Sequence, residues 1–236
     1  MVEHRLPKAR AAGSSPVLRF FYFLFLADRR GISMNQSNEL LKPIETSALL
    51  LRPFRMSDLN DFYEYAKRPE IGPNAGWRPH PNKVHSAKIL RSFLKAGDVY
   101  AIVLKEEAKV IGSIGLHENP VPEPFAKDYP DQRLREIGYV LSSDYWNKGY
   151  MTQALSAVIY YACQTLKLDG LFISHNEENI RSKRVIEKCG FHLVGSYQKE
   201  LVFLDGRIVT SRFYTLFFDH NWKPASDPQY DEISIW

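Results

Sequence analysis

The stretch Tyr145-Trp146-Asn147-Lys148-Gly149-Tyr150-Met151-Thr152 joins two patterns of different period. Before it, Glu136 to Leu141 reads as a strand. After it, Met151, Ala154, Leu155, Val158, Ile159, Ala162 and Leu166 recur at helical spacing and define one core-facing side. A glycine at such a junction lets backbone amides turn toward an anion, where the unpaired N–H groups and dipole of a helix start favour phosphate. The second glycine and following Lys-Ser/Thr of a Walker loop are missing, as are the three spaced glycines of a dinucleotide fingerprint. Alone, the stretch is a simple turn or a pyrophosphate cradle, and the surrounding motifs must choose.

Upstream, Val99 to Lys105 and Val110 to Leu116 form a hairpin around Glu106-Glu107-Ala108-Lys109, and Asn119 to Asp131 is a Pro-rich insertion. A helix over Val84 to Lys95 precedes the hairpin. Before it comes the irregular loop Gly72 to His80, in which Trp77 either plugs the core edge or lines a pocket. Ser57 is read as the cap of an earlier helix with Leu59, Phe62, Tyr63 and Ala66 on its apolar face, after a first strand over Ala48 to Phe54. Downstream, a strand over Gly170 to Ser174 and a helix over Glu178 to Cys189 lead to a hairpin of Leu193 to Leu204 with Ile208 to Phe218, turned by Asp205-Gly206. The order predicts a mixed α/β (α+β) domain with a largely antiparallel sheet of about seven strands and about four helices.

The chain has 236 residues and 44% hydrophobic content, enough to bury a full core in one domain over 46–222. Its net charge of +4 is not gathered into a basic block, which argues against a nucleic-acid partner while suiting an acidic cofactor. Cys163 and Cys189 each lie among apolar helix positions, so two buried thiols in a reducing, cytoplasmic compartment are expected instead of a disulfide. No metal-ligand spacing occurs; His80 and His85 are read as loop histidines exposed to solvent. Residues 1–33 carry basic residues and an apolar run, Val17 to Ala27, too short to span a bilayer. Met1-Val2-Glu3-His4 and Gly13-Ser14-Ser15-Pro16 back-translate to transfer-RNA arm sequences, so 1–33 is expected to be non-native or disordered, with Met34 as the start. A membrane-surface anchor is the competing reading. Residues 223–236 read as a polar tail.

With this layout, the chain resembles the GNAT superfamily of acetyl-coenzyme A dependent N-acetyltransferases, in the branch of the ribosomal-protein N-terminal (alanine/serine) acetyltransferases. The resemblance rests on Leu50-Leu51-Arg52-Pro53 with Ser57-Asp58, Ile111-Gly112-Ser113-Ile114-Gly115-Leu116, Glu136-Ile137-Gly138-Tyr139-Val140-Leu141, the opening stretch, and Asn179-Ile180-Arg181-Ser182 leading to Val185 through Phe191. It implies that the pantetheine arm lies along Tyr139, Val140 and Leu141, where this strand splays from its neighbour. The pyrophosphate would rest on amides of Asn147, Lys148, Gly149, Tyr150, Met151 and Thr152. Lys148 adds charge there or is a solvated surface lysine. Asn179 and Ser182 approach the cofactor from the later helix, unless Asn179 simply caps it.

Acetyl transfer needs a neutral amine, and the resemblance implies Glu136 as the base, with a pair to Arg133 or Arg135 as the alternative. Relatives often place a tyrosine proton donor where this chain has Ile186; Ser182 is the expected substitute, directly or through water. The amides of Tyr139 and Val140 are expected to polarise the thioester carbonyl. Trp77 and His117 are the expected acceptor contacts, although His117 also reads as an exposed strand-end residue. The acceptor is expected to be a primary amine, a protein N-terminus first and a small molecule next, with no nucleic-acid or membrane partner and a monomeric or homodimeric state. A catalytically silent acyl-coenzyme A binding module is the non-enzyme alternative, kept open by Ile186.

Overall fold

The computed structural model describes residues 41–218 and 233–235. The readings made for 1–33, and for the tail apart from 233–235, lie outside them. The strands are β1 (Ile44–Glu45), β2 (Leu49–Pro53), β3 (Val99–Leu104), β4 (Lys109–His117), β5 (Leu134–Leu141), β6 (Gly170–Asn176), β7 (His192–Glu200), β8 (Ile208–Phe217) and β9 (Ser234–Ile235). The α-helices are α1 (Leu59–Ala66), α2 (Lys83–Ala96), α3 (Tyr150–Gln164) and α4 (Ile180–Lys188). One nine-stranded sheet runs in the order β7-β8-β6-β5-β4-β3-β2-β1-β9. Among the strands of the described residues only β5 and β6 pair in parallel. The mixed, largely antiparallel architecture is therefore the one expected, widened by the short strands β1 and β9.

Strand alternation sends Ile114, Leu116, Ile137 and Leu141 to one face, where α3 buries Leu155, Val158, Ile159 and Ala162 against them. Val99, Ala101 and Val103 face the other way and pack with Phe62, Tyr65 and Leu90 of α1 and α2. Each of the Val, Leu, Ile and Phe side chains among them stabilises the fold by roughly 1.5–3 kcal/mol when fully buried. Helix α3 follows its sequence pattern closely, because nine of its residues are buried, Met151 among them.

Some local expectations change. Asp58, not Ser57, organises the entry to α1: its carboxylate accepts the Arg55 N–H at 2.7 Å and holds Arg52 through two bonds of 2.8 Å. A carboxylate does this better than a hydroxyl because it can serve the backbone and a guanidinium together. On α1 the buried tyrosine is Tyr65, while Tyr63 lies half-buried beneath Lys67. The last hairpin lacks the tight turn expected at Asp205-Gly206: β7 ends at Glu200, and Leu201 instead closes the connection by bonding Arg207, Leu204, Asp205 and Gly206 through its backbone. The insertion after β4 is pinned by Phe125, whose ring stacks on Phe213 at 4.5 Å and lies against Gly195. Cys189 is buried and Cys163 half-buried, both as free thiols.

One departure from sheet regularity creates the space for a site. β5 and β6 pair from Leu134↔Gly170 to Ile137↔Ile173 and no further. Beyond that point β6 stays with β8 through Asn176↔Ser211, while β5 stays with β4 through Leu141↔Gly112. The two strands part, and Gly138 to Leu141 border the opening.

Candidate active site

The opening leads into a cavity of about 980 Å³ that reaches from the start of α3 to the loop carrying Trp77. Its β5 edge can be read from hydrogen-bond parity. Ser142 donates to the carbonyl of Ile111 opposite it, so Val140 and Gly138, two and four residues back, also turn their backbone toward β4. Tyr139 and Leu141 turn theirs toward the gap. Of the two amides expected to polarise a carbonyl, that of Tyr139 is the one aimed into the cavity, and that of Val140 is engaged by β4. The Leu141 carbonyl accepts the indole N–H of Trp146 at 2.9 Å, which fixes Trp146 beside the opening.

The α3 end forms an anion cradle. Gly149 caps the helix at φ 82°, and Asn147 also takes the left-handed region at φ 61°. Such alternation bends successive amides toward one point. The first helical bond runs from Gln153 N–H to the Gly149 carbonyl, so the amides of Tyr150, Met151 and Thr152 precede the ladder. A Cβ on Gly149 would meet no atom within 4 Å, so the concavity is open at that point. Lys148 is exposed, with its ammonium 5.2 Å from the Tyr145 ring centre. Of the cations that line the cavity, Arg181, Arg184 and Lys188 come from α4, and Arg78 and Lys199 from the Trp77 loop and β7. Arg181 stacks 4.1 Å over Trp146. Cradle, open edge and cations fit a pantetheine chain ending in phosphates.

Asn179 caps α4 by accepting the Ser182 N–H at 3.1 Å. The expected alternative for Asn179 is therefore realised, without removing it from the cavity wall. Ser182 Oγ lies 2.9 Å from the hydroxyl of Tyr139. Burial pushes that phenol up, against the opposing effect of the Ser182 hydrogen bond. Ile186 is fully buried and faces the core.

The other end of the cavity lies on the α1–α2 side of the sheet. Ser113, Gly115 and His117 of β4 stand opposite Val140, Gly138 and Glu136 of β5, all on one face. The His117 ring covers Gly115, while Gly138 beside it leaves a trough in the sheet surface that Glu136 and His117 close at one end. The wall above it is largely apolar and half-exposed: Trp77, Ile89, Phe93 and Phe203. Trp77 packs against the second core and pairs its backbone with Phe203, so it serves both roles between which the sequence left it. Gly72 makes its placement possible, because a Cβ there would come within 2.5 Å of the indole.

Glu136 is buried and accepts the Asn119 side-chain N–H at 2.8 Å. The arginines considered for it have other partners: Arg135 binds Glu118, and Arg133 donates to the carbonyls of Leu166 and Lys167. His117 is not an exposed strand-end residue; its side chain keeps 16% exposure and its Nδ1 lies 2.6 Å from Asp98 Oδ2. Burial pulls this imidazole down, but the Asp98 hydrogen bond and charge, with the Glu136 charge, outweigh it and raise it above the ordinary histidine value. His80 also departs from expectation: it is buried, bonded to Ser86 at 2.7 Å, and held down to about 4 by burial and by His85.

Asp98, Arg181 and the trough glycines were not singled out from the sequence. Isolated glycines inside strand patterns were the available signal for the trough, since they mark close approach of another group. No metal-binding group of three or more His, Cys, Asp or Glu occurs among the described residues, and none of their helices is long and apolar enough to cross a membrane.

Comparison with known proteins gives this geometry a context. The domain described as Acetyltransferase (GNAT) domain matches residues 48–192. The uncharacterized N-acetyltransferase YnaD of Bacillus subtilis is 26% identical over 185 residues, which is 76% of this chain and 99% of that protein. A GNAT-family acetyltransferase from Bacillus anthracis superposes with a TM-score of 0.64 at 23% identity, over 74% of this chain and 98% of its own. The ribosomal-protein-S5-alanine acetyltransferase of Vibrio fischeri does so with a TM-score of 0.58 at 21% identity, over 77% and 99%.

Proposed function

Since the chain belongs to the GNAT acetyltransferase family, whose members move an acetyl group from acetyl-coenzyme A to an amine, we propose that its acceptor is a primary amine borne on an apolar body. Acetyl-coenzyme A supplies the activated acetyl group as a thioester. The amides from Asn147 to Thr152 hold its pyrophosphate, Arg181 adds charge, and the Tyr139 backbone aligns the pantetheine along β5. Asn179 and Ser182 border the arm from α4. Lys148 has a lesser part, because its ammonium already sits on Tyr145.

The observation that carries the acceptor assignment is the trough. It offers an amine one buried carboxylate, Glu136, at its closed end and the half-exposed apolar wall of Trp77, Ile89, Phe93 and Phe203 along its length. A polyamine would need a series of carboxylates, and among the described residues the cavity lining contains only Glu70 and Glu136. Glu136 attracts the protonated amine, and the proton leaves through the pair that Glu136 and His117 form. A peptide N-terminus with an apolar first side chain meets the same requirements. That second reading is favoured by Lys199 and Leu201, which carry the cavity wall on past Phe203.

Thiol release from acetyl-coenzyme A, measured with 2-phenylethylamine, spermidine, glucosamine and short peptides with differing first residues, tests the proposal. Turnover highest with phenylethylamine or with peptides beginning in an apolar residue is expected. Preference for spermidine or glucosamine would overturn the acceptor class, and acetyl-coenzyme A binding with no turnover on any amine would favour a binding module.

A further inference from the structure

His117 ends β4, yet its ring does not run out into solvent. A Cβ built on Gly115 would stand 2.2 Å from His117 Nε2 and 2.5 Å from Cε1, so the imidazole folds back over the glycine two residues earlier. That floor continues into Gly138, the partner of Gly115 across the strands. Asp98 reaches the ring from the turn that follows α2, where Gly97 takes the left-handed conformation at φ 65° and ends the helix. A carboxylate accepts, so the 2.6 Å contact puts the hydrogen on Nδ1 and leaves the Nε2 lone pair over the trough. The second oxygen, Asp98 Oδ1, is buried with no hydrogen-bond partner among the described residues. A carboxylate with one oxygen buried and unpaired favours positive charge on the ring it does touch.

We propose that His117 is the general base of acetyl transfer, taking the acceptor proton on Nε2, and that Asp98 is the positioning residue that fixes its tautomer and orientation. The assignment rests on the amine-acetylation reading. As the amine nitrogen forms its bond to the carbonyl carbon, one N–H proton passes to Nε2. The C–S bond then breaks with its electron pair on sulfur, and the thiolate takes up a proton. Amine and thioester thus become amide and thiol, and the imidazole is regenerated. Glu136, opposite His117 in the β4–β5 register, holds the positive charge before and after transfer.

Three charged groups act on the ring from the elements around it. Asp98 from the α2–β3 turn and Glu136 from β5 favour its protonated form, and Arg135 from β5 opposes them. The rate should therefore rise with pH through a limb above the ordinary histidine value of about 6.5.

The test uses the full chain with phenylethylamine, or the panel amine that turns over best. His117→Gln should lower kcat/KM by about a hundredfold or more with acetyl-coenzyme A binding unchanged. Asp98→Asn should lower the plateau and move the ascending limb to lower pH, and Asp98→Glu should restore part of both. Nitrogen NMR of His117, which needs no acceptor, should read the Nδ1–H tautomer and a titration point that falls in Asp98→Asn. Wild-type kcat/KM in His117→Gln, an unmoved limb in Asp98→Asn, or an Nε2–H tautomer would each overturn the proposal. Failure of every amine together with failure to bind acetyl-coenzyme A would overturn the underlying reading instead.

Discussion

Tyr139 and Ser182 join β5 to α4 across the opening: the phenol oxygen lies 2.9 Å from Ser182 Oγ and 3.2 Å from the Ser182 carbonyl oxygen. If the phenol donates to the carbonyl, the serine hydroxyl donates to the phenol. If the phenol turns outward, the serine remains its support. On the proposed reading the departing sulfur meets a hydroxyl pair, Tyr139 with Ser182, in place of a lone serine. Tyr139→Phe and Ser182→Ala should each lower kcat about tenfold with little change in acetyl-coenzyme A affinity. Members of one network are not additive, so the double variant should be no slower than the slower single. Stopped-assay kcat and calorimetric Kd for the three variants check this; a silent Tyr139→Phe beside a slow Ser182→Ala would return the role to the serine alone.

Glu136→Gln keeps the size of the side chain and its bond to Asn119 while removing the charge. Loss of one of two cooperating proton-handling groups should lower kcat/KM for the amine by about a hundredfold. The affinity for acetyl-coenzyme A should stay nearly constant, because Glu136 stands at the far end of the trough from the cradle. Since the Glu136 charge helps to raise His117, the ascending limb of the rate profile should also shift to lower pH. Unchanged activity would remove Glu136 from the mechanism.

The geometry of the proposed cofactor side was readable in the sequence because it is built from local backbone: a glycine before an apolar-periodic helix, Asn179 at the next helix start, and a strand ending at Leu141. The acceptor side was less so. Asp98 and His117 are 19 residues apart, and only the β3–β4 register brings them together. Nothing in Ala96-Gly97-Asp98 marks the aspartate as more than a turn residue. Phe203 was placed inside a regular hairpin because Asp205-Gly206 is a strong turn signal, and the backbone bonds centred on Leu201 override it. The prolines and glycines around His80 read as a solvated loop, yet the loop folds inward so that its ring packs edge-on to Phe62 and tilted against Trp77. Loop composition reports polarity and backbone freedom, not which side chain a tertiary contact will capture.

Gly149→Val tests the cradle through backbone conformation. At φ 82° an L side chain is strained by roughly 1–2 kcal/mol, and Asn tolerates the region better than Val. The added Cβ would meet no atom of the protein, so the substitution acts on the loop and on whatever approaches it. Valine should weaken acetyl-coenzyme A binding tenfold or more, and Gly149→Asn should fall between valine and the native protein. Calorimetric binding and thermal melts on the same samples separate lost affinity from lost stability. Native affinity in the valine variant would rule out this junction as the phosphate site.

His80 should make the fold sensitive to mild acid. The unfolded imidazole binds a proton near pH 6.5, whereas in the folded protein burial, followed by the charge of His85, delays protonation to about 4. Above both values the ring is neutral in either state and stability does not depend on it. As pH falls through the interval the unfolded chain binds the proton first, so stability is lost, reaching about 3 kcal/mol near the lower limit. His117 runs the other way: its raised value gives stability that is complete below the unfolded value and is lost as pH rises through the folded one. The two effects therefore fall in different windows. Urea melts of the native protein and of His80→Gln, at about pH 7 and about pH 4, isolate the first. The variant should start less stable, because it disturbs the bond to Ser86 and the rings of Phe62 and Trp77, but should lose markedly less on acidification. Equal losses in the two proteins would mean that His80 takes up its proton in the fold over the same pH range as in the unfolded chain, and that burial does not hold the ring neutral.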